Sequence, residues 1–333
     1  MISTISVLSR IKYIVPELQR ILPNITFYEV NDVETDKKFR DSQVIIADFD
    51  LIAPYIYDLS QTKWVQGTWA GVEKLMEKVD KSKPPPFPIS RFTGDHFGKL
   101  MSEYVVSNIV NFERRAFKIR ENQMLKQWDR DNDIHNYRAI YDLTIGILGL
   151  GSIGSRVAKT LNNMGAVVYA YGRRDSIDLD EFEYVSKYFN SDHLSEILKS
   201  CDYIVNILPN TPLTKGLLNE GVLENCKNKQ SVFINVGRGS IISEECLLTA
   251  LKNKWISGAI LDVFEEEPLR KDSELWKTPN VIITPHVAAT SRAKDIAEVV
   301  KVNLQYYEAN LKIPATIDFI KGILKILHLN NKL

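Results

Sequence analysis

Along the first 80 residues, short apolar runs alternate with amphipathic stretches. Residues 5–9, 25–30, 44–48 and 64–68 read as strands, and 17–22, 53–59 and 72–79 as helices. Strands that alternate regularly with helices predict a parallel α/β sheet. Lys83-Pro84-Pro85-Pro86-Phe87-Pro88 interrupts the pattern. Its prolines lack the N–H that a helix interior or central strand needs, so it reads as a surface loop. A helical pattern then runs from 102 to 128. A second α/β series follows, with strands at 145–148, 166–171, 203–208, 232–236, 258–263 and 281–284, and a closing helix covers about 291–310. Across 333 residues this predicts two α/β domains with parallel sheets. Ligands of open α/β sheets bind beyond the carboxyl ends of the strands, so the cleft between two such sheets is where chemistry is expected.

The charge balance removes some partners from consideration. Lys plus Arg (42) equals Asp plus Glu (42), so no global basic field exists to drive nucleic-acid or membrane binding. No apolar run reaches the roughly 18 residues of a membrane span. Cys201, Cys226 and Cys246 show no metal-ligand spacing, and no metal site is expected; they read as reduced thiols of an intracellular protein. The N-terminal residues show no secretory pattern. The chain ends Asn331-Lys332-Leu333, which differs at its first position from the Ser-Lys-Leu peroxisomal address, so the expected compartment is the cytoplasm, with the peroxisome as the alternative.

The most informative glycine cluster is Gly149-Leu150-Gly151-Ser152-Ile153-Gly154. An apolar strand precedes it, a helical stretch ending at Gly165 follows, and a second strand comes at βαβ spacing. This context marks a Rossmann turn, in which backbone amides at a helix N-terminus face a dinucleotide pyrophosphate. NAD enzymes usually carry an acidic residue after the second strand to bind the ribose 2′-hydroxyl. Here that slot is Gly172, followed by Arg173 and Arg174. Two guanidiniums suit a 2′-phosphate, which makes NADP the expected cofactor. Asp175, presented by a rotated loop, would favour NAD instead. Two solvated surface arginines are the plain alternative.

Three segments follow later strands: Asn235-Val236-Gly237-Arg238-Gly239, Asp262-Val263-Phe264-Glu265-Glu266-Glu267-Pro268 and Thr284-Pro285-His286-Val287-Ala288. With the glycine cluster and Leu208-Pro209-Asn210-Thr211-Pro212-Leu213-Thr214, they resemble the D-isomer-specific 2-hydroxyacid dehydrogenase family, in family order and over nearly the whole chain. The resemblance implies a Rossmann cofactor domain (101–290) inserted into a flavodoxin-like substrate domain (1–100 and 291–333). It implies Arg238, Glu267 and His286 as catalytic residues. It further implies that Leu208, Pro209, Thr214, Val236, Gly237 and Asp262 line the cofactor, and that Trp69, Ala70, Gly71 and Val72 bind the substrate carboxylate with Arg238 and His286. Residues 63–72 and 101–105 look most like the glyoxylate/hydroxypyruvate reductase branch.

These residue types suit reduction of a 2-keto acid to a D-2-hydroxy acid. Arg238 presents a planar fork to a carboxylate and a ketone oxygen. A protonated His286 delivers the proton as hydride arrives at carbon, and Glu267 favours the imidazolium. Taken singly, each has a plain structural alternative: a surface turn for Arg238, solvated charge for Glu267, a structural role for His286. His96, His135, His193 and His328 lack such context and are expected to be structural. Asp48 and Asp50 resemble a carboxylate pair but are expected to end a strand. Two rival functions stay open. One is a cofactor-sensing, corepressor-like binding protein, against which Gly172-Arg173-Arg174 counts. The other is a dehydrogenase of a bulkier 2-keto acid. The 102–128 helix carries Tyr104, Val105, Ile109, Val110, Phe112, Phe117 and Ile119, more apolar surface than one stripe needs, and is expected to mediate a homodimer.

Overall fold

The computed structural model describes residues 2–31, 33, 36–130 and 134–319. His328 and Asn331-Lys332-Leu333 lie outside the described residues. The chain divides into two compact units, Met1–Phe97 with Thr290–Leu333, and Gly98–Ala289.

The first unit holds a five-stranded sheet of β1 (Thr4–Leu8), β2 (Thr26–Glu29), β3 (Val44–Ala47), β4 (Trp64–Gly67) and β5 (Ile89–Ser90). Their order is β2-β1-β3-β4-β5, every pair parallel, which is the flavodoxin-like arrangement. The central strands read as continuous apolar runs because helices cover both faces; all of β3 is buried. Helix Ile14–Ile21 packs against the closing helix Ala293–Glu308. A buried polar chain anchors that closing helix. Asn303 Nδ2 donates to Gln66 Oε1 at 2.7 Å, Ser90 Oγ donates to the same oxygen at 2.8 Å, and Trp64 Nε1 donates to Ser90 Oγ at 2.9 Å. Each member is satisfied, as burial in a low dielectric requires.

The second unit holds β6 (Thr144–Leu148), β7 (Val167–Tyr171), β8 (Lys187–Phe189), β9 (Tyr203–Asn206), β10 (Val232–Asn235), β11 (Gly258–Leu261) and β12 (Val281–Ile283). All are parallel, in the order β12-β11-β10-β9-β6-β7-β8. Counted within the unit this is 7-6-5-4-1-2-3, the doubly wound Rossmann order with one strand added, and its switch point lies between β6 and β9.

Three expected helices needed correction. The 72–79 helix is confined to Glu73–Met76. The 53–59 helix is a short helix, Phe49–Ile52, running into a 3-10 turn at Ala53–Tyr55, where Pro54 removes a backbone donor. The 102–128 helix begins earlier and breaks: Asp95–Glu113 ends, Arg115 turns left-handed (φ 52°), and Ala116–Met124 resumes. Cation–π contacts fasten the break, Arg114 over Tyr137 at 3.5 Å and Arg115 over Phe112 at 5.5 Å. Strands β5 and β8 were not anticipated, being too short to show a periodicity. The proline stretch is a loop as expected, although Phe87 within it is buried and joins the apolar core.

Candidate active site

At the end of β6 the chain turns through Gly149, whose φ of +108° favours glycine, into helix Ser152–Asn163. A Cβ on Gly154 would lie 1.9 Å from the Gly149 carbonyl oxygen, so the first helical turn packs directly on the loop. Gly151 is the N-cap, no side chain caps the helix there, and a Cβ at 151 would meet nothing within 4 Å. Uncapped amides at the positive end of a helix, open to ligand, fit the pyrophosphate of a dinucleotide. Leu150 is buried beneath the turn, and Ser152 and Ile153 are half-buried in it. At the end of β7 stand Gly172, an exposed Arg173, a half-buried Arg174 and an exposed Asp175.

The ends of β9 and β10 are tied to each other. Asn206 Nδ2 donates to Asn235 Oδ1 at 2.8 Å, and the Leu208 amide donates to Asn206 Oδ1 at 3.1 Å. The Gly237 amide donates to Asn235 Oδ1 at 3.3 Å, and a Cβ on Gly237 would come within 2.7 Å of Leu208 O. Leu208, Val236 and Gly237 thus form one close-packed rim. Thr214 closes the following turn, its hydroxyl donating to Pro209 O at 2.6 Å. Arg238 has extended backbone just past β10, and its Nη1 donates to Gly237 O at 2.7 Å.

The ends of β11 and β12 build the turn that carries His286. His286 has a left-handed backbone (φ 55°), and its amide donates to the carbonyl of Asp262 at 2.9 Å. The Asp262 carboxylate, 2% exposed, accepts from the Val287 amide at 2.9 Å and the Ala288 amide at 2.8 Å. It also accepts from Thr284 Oγ1 at 2.5 Å. Three successive amides, 286 to 288, therefore converge on one residue. The imidazole Nδ1 of His286 lies 2.7 Å from Glu267 Oε2, and Glu267 Oε1 accepts from the Phe264 amide at 3.0 Å. The pair is accessible, with side chains 52% and 35% exposed. The second unit therefore joins His286 to Glu267 and Asp262, and sets Arg238 at the end of β10, the strand beside β11.

Trp69, Ala70, Gly71 and Val72 follow β4 in the first unit. The Phe92 amide donates to Trp69 O at 3.1 Å and Arg91 Nη1 to Ala70 O at 3.0 Å, which fixes this loop through its carbonyls. Asp48 is 2% exposed and accepts from Ser9 Oγ, the Arg10 amide and Thr68 Oγ1, while Asp50 pairs with Arg10 at 2.6 Å. These carboxylates organise strand ends. His96 lies 3.5 Å from Asp295, and His193 beside Asn190. Among the described residues no metal-ligand cluster occurs, and no helix is long and apolar enough to cross a membrane. Sequence reading missed Asn206, Tyr104, Thr284 and Tyr188. Asn206 carried a signal as a polar residue ending a fully buried strand, Thr284 stood in the His286 segment without a role of its own, and Tyr104 was assigned to the interface.

Comparison with known proteins agrees with the fold of the two units. The family model of the D-isomer specific 2-hydroxyacid dehydrogenase NAD binding domain matches residues 106–288. A D-isomer specific 2-hydroxyacid dehydrogenase family protein of Aeromonas salmonicida is 30% identical, covering 96% of this chain and 100% of its own, with a TM-score of 0.80. A D-isomer specific 2-hydroxyacid dehydrogenase of Xanthobacter autotrophicus, solved with NADPH and MES, is 25% identical over 97% and 100%, with a TM-score of 0.84. The NADPH-dependent glyoxylate/hydroxypyruvate reductase of Sinorhizobium meliloti, solved with NADP and sulfate, is 26% identical over 96% and 99%, with a TM-score of 0.80.

Proposed function

This chain belongs to the D-isomer specific 2-hydroxyacid dehydrogenases, and from that premise we propose that it reduces a small 2-keto acid, of the glyoxylate or hydroxypyruvate kind, to the D-2-hydroxy acid. NADPH is the preferred hydride donor in this reading. The observation that carries it is the His286–Glu267 pair, 2.7 Å apart at the carboxyl ends of the sheet that bears the dinucleotide turn. The Sinorhizobium neighbour, an NADPH-dependent glyoxylate/hydroxypyruvate reductase, supports the substrate class. Gly172 with Arg173 and Arg174 supports the cofactor, as do the two neighbours solved with NADPH or NADP.

In this mechanism residues 149–154 would hold the pyrophosphate and Arg173 and Arg174 the 2′-phosphate, while Leu208, Pro209, Thr214, Val236, Gly237 and Asp262 would line the cofactor. The bound cofactor supplies the hydride. Arg238 binds the keto acid through its planar fork and polarises the ketone. Because Nδ1 of His286 is held by Glu267, Nε2 is the nitrogen that gives its proton to the ketone oxygen. Glu267 faces Nδ1 and fixes the ring. Trp69, Ala70, Gly71 and Val72 are assigned to the substrate carboxylate. The inserted unit (101–290) is assigned to the cofactor, and the other (1–100 and 291–333) to the substrate.

We also infer a homodimer. Val105 and Ile109 are buried within their own unit, Val110 stays 38% exposed, and most of the apolar surface that remains lies further along. Phe117, Ile119, Met124, Leu125 and Trp128 are 55%, 44%, 67%, 63% and 92% exposed. Exposed apolar side chains this close in the chain support an interface between two copies.

The deciding experiment is a panel of 2-keto acids assayed with NADPH and with NADH, with chiral analysis of the product. Turnover of glyoxylate or hydroxypyruvate with NADPH, and a D product from hydroxypyruvate, is expected. Turnover confined to bulky keto acids would overturn the substrate class. Cofactor binding without turnover of any keto acid would replace the enzyme with a sensing role.

A further inference from the structure

The cofactor reading rests on the short segment after β7, and the structure shows what shapes that segment. The Gly172 amide donates to Phe189 O at 3.1 Å, which carries the β7–β8 ladder one residue past Tyr171. The backbone at 172 is therefore fixed by the sheet. Tyr188 in β8 projects its hydroxyl at this point. A Cβ built on Gly172 would lie 2.9 Å from Tyr188 Oη, closer than real Cβ atoms pack, with the next ring atoms at 3.6 and 3.7 Å. The hydroxyl alone makes the position too tight.

That hydroxyl is not free to swing aside. It accepts from the Arg174 amide at 3.1 Å and donates to the Arg174 carbonyl at 3.1 Å. Both its donor and its acceptor roles are used on one residue. Moving it away from 172 breaks both bonds and releases the backbone that carries the two arginines. The guanidinium of Arg174 is also held, 5.6 Å over the ring of Phe182, which is 1% exposed. One side chain thus excludes any side chain from the acidic slot and sets the course of the loop that replaces it.

We propose that Tyr188 is a specificity-positioning residue for the cofactor: its hydroxyl bars a carboxylate-bearing side chain from position 172 and braces Arg173 and Arg174 toward a 2′-phosphate. This deepens the NADPH reading and rests on it. Tyr188 contacts no reacting atom and acts through the loop.

The test joins a stability measurement made without cofactor to a binding measurement. Gly172→Asp, Tyr188→Phe and the double variant are compared in the full chain by thermal unfolding. Gly172→Asp alone is expected to lower Tm, and to lower it less when the hydroxyl is already gone. Fluorescence titration then gives Kd for each cofactor. Tyr188→Phe is expected to weaken NADPH several-fold more than NADH, and the double variant to bind NADH more tightly than Tyr188→Phe does. Strictly additive Tm losses would overturn the steric argument whichever cofactor the parent prefers. Equal weakening of NADPH and NADH by Tyr188→Phe would reduce Tyr188 to a structural residue and overturn the proposal. A parent chain that prefers NADH while the Tm coupling holds would sink the NADPH reading itself, and the specificity role with it.

Discussion

The hydroxyl of Tyr104 lies 2.7 Å from that of Thr284, and the direction of this hydrogen bond follows from the other side of Thr284. An ionised Asp262 only accepts, so the Thr284 proton points to Asp262 Oδ1 at 2.5 Å. Tyr104 must therefore be the donor. Burial, helped by the charge of Asp262, pushes the Tyr104 phenol up to about 12, which keeps it a neutral donor throughout the working range. A chain of two hydrogen bonds thus runs from helix Asp95–Glu113 to the carboxylate that gathers the amides of 287 and 288.

Tyr104→Phe removes the first link and leaves the Thr284 hydroxyl with one partner fewer. A bond of this kind contributes about 0.5–1.5 kcal/mol, so kcat is expected to fall by at most about tenfold, with little change in substrate KM. Thr284→Val takes a donor from Asp262 itself and is expected to cost more in both kcat and Tm. Steady-state kinetics with thermal unfolding on the two variants checks the order. A Thr284→Val enzyme as active as Tyr104→Phe would mean the chain does not support the His286 turn.

For His286, whose imidazole is anchored at Nδ1 by Glu267, replacement by alanine removes the proton donor. Turnover is expected to fall by roughly 10²–10⁴-fold. Glu267→Gln keeps a partner at Nδ1 but removes the carboxylate that faces the ring, so kcat is expected to fall, by less than in His286→Ala. Near-normal kcat for His286→Ala at every pH would remove the assignment.

The sequence carried the parts of this site that depend on local order. Gly149, Gly151 and Gly154 reveal themselves because a tight turn into a helix needs them at fixed spacing. Arg238, Glu267 and His286 come from the family resemblance of the segments that carry them, each past an apolar strand; taken singly, each has a plain structural alternative. Tyr104, Tyr188 and Thr284 act through partners 180, 14 and 22 residues away along the chain, and no periodicity encodes such pairings. The break at Arg115 was hidden for a similar reason: the residues around it are ordinary helix formers, and the cation–π contacts that hold it appear only in three dimensions. Strand β5, two residues long after a proline-rich loop, shows too little pattern to be read.

Replacing Arg173 and Arg174 together with alanine is expected to raise KM for NADPH by about ten- to hundredfold, since one charge-assisted bond contributes about 1.5–3 kcal/mol. KM for NADH should scarcely change. Arg173 is exposed, so added salt should narrow the parent's preference. Equal kcat/KM for the two cofactors in the parent would show that Asp175, rather than the arginines, addresses the ribose.

Charges placed in the apolar cluster test the dimer. Phe117→Glu with Leu125→Glu should yield a species of half the parent mass by light scattering at micromolar concentration, because two unpaired carboxylates would be buried on association. A parent that already scatters as a single chain would contradict the dimer directly.

The last prediction concerns the base of the second unit, where Arg138 bridges Glu113 at 2.6 Å and Asp202 at 3.1 Å, and Tyr203 donates to Glu113 at 2.7 Å. Burial would push the Glu113 carboxyl up, but hydrogen bonds from Arg138 and Tyr203 outweigh it and hold the carboxyl below its usual value. Burial first, then the neighbouring Glu113 charge, pushes the Tyr203 phenol well above its own. The two shifts act at opposite ends of the pH scale. A carboxyl depressed in the fold contributes stability above its unfolded value, about 4.3, and loses it as pH falls through the lower folded value. A phenol raised in the fold contributes fully below its unfolded value, about 10, and loses that contribution as pH rises beyond it. Glu113→Gln should therefore flatten the fall of Tm between about pH 5 and 3, and Tyr203→Phe should flatten the fall above about pH 10, although each variant starts from a lower Tm at neutral pH because its partners lose a bond. Thermal unfolding across pH 3 to 11 separates the two effects, since each substitution should change its own limb most and, because Glu113 and Tyr203 shift each other, the opposite limb less. A Glu113→Gln variant whose acid limb runs parallel to that of the parent would show that other carboxylates govern acid unfolding.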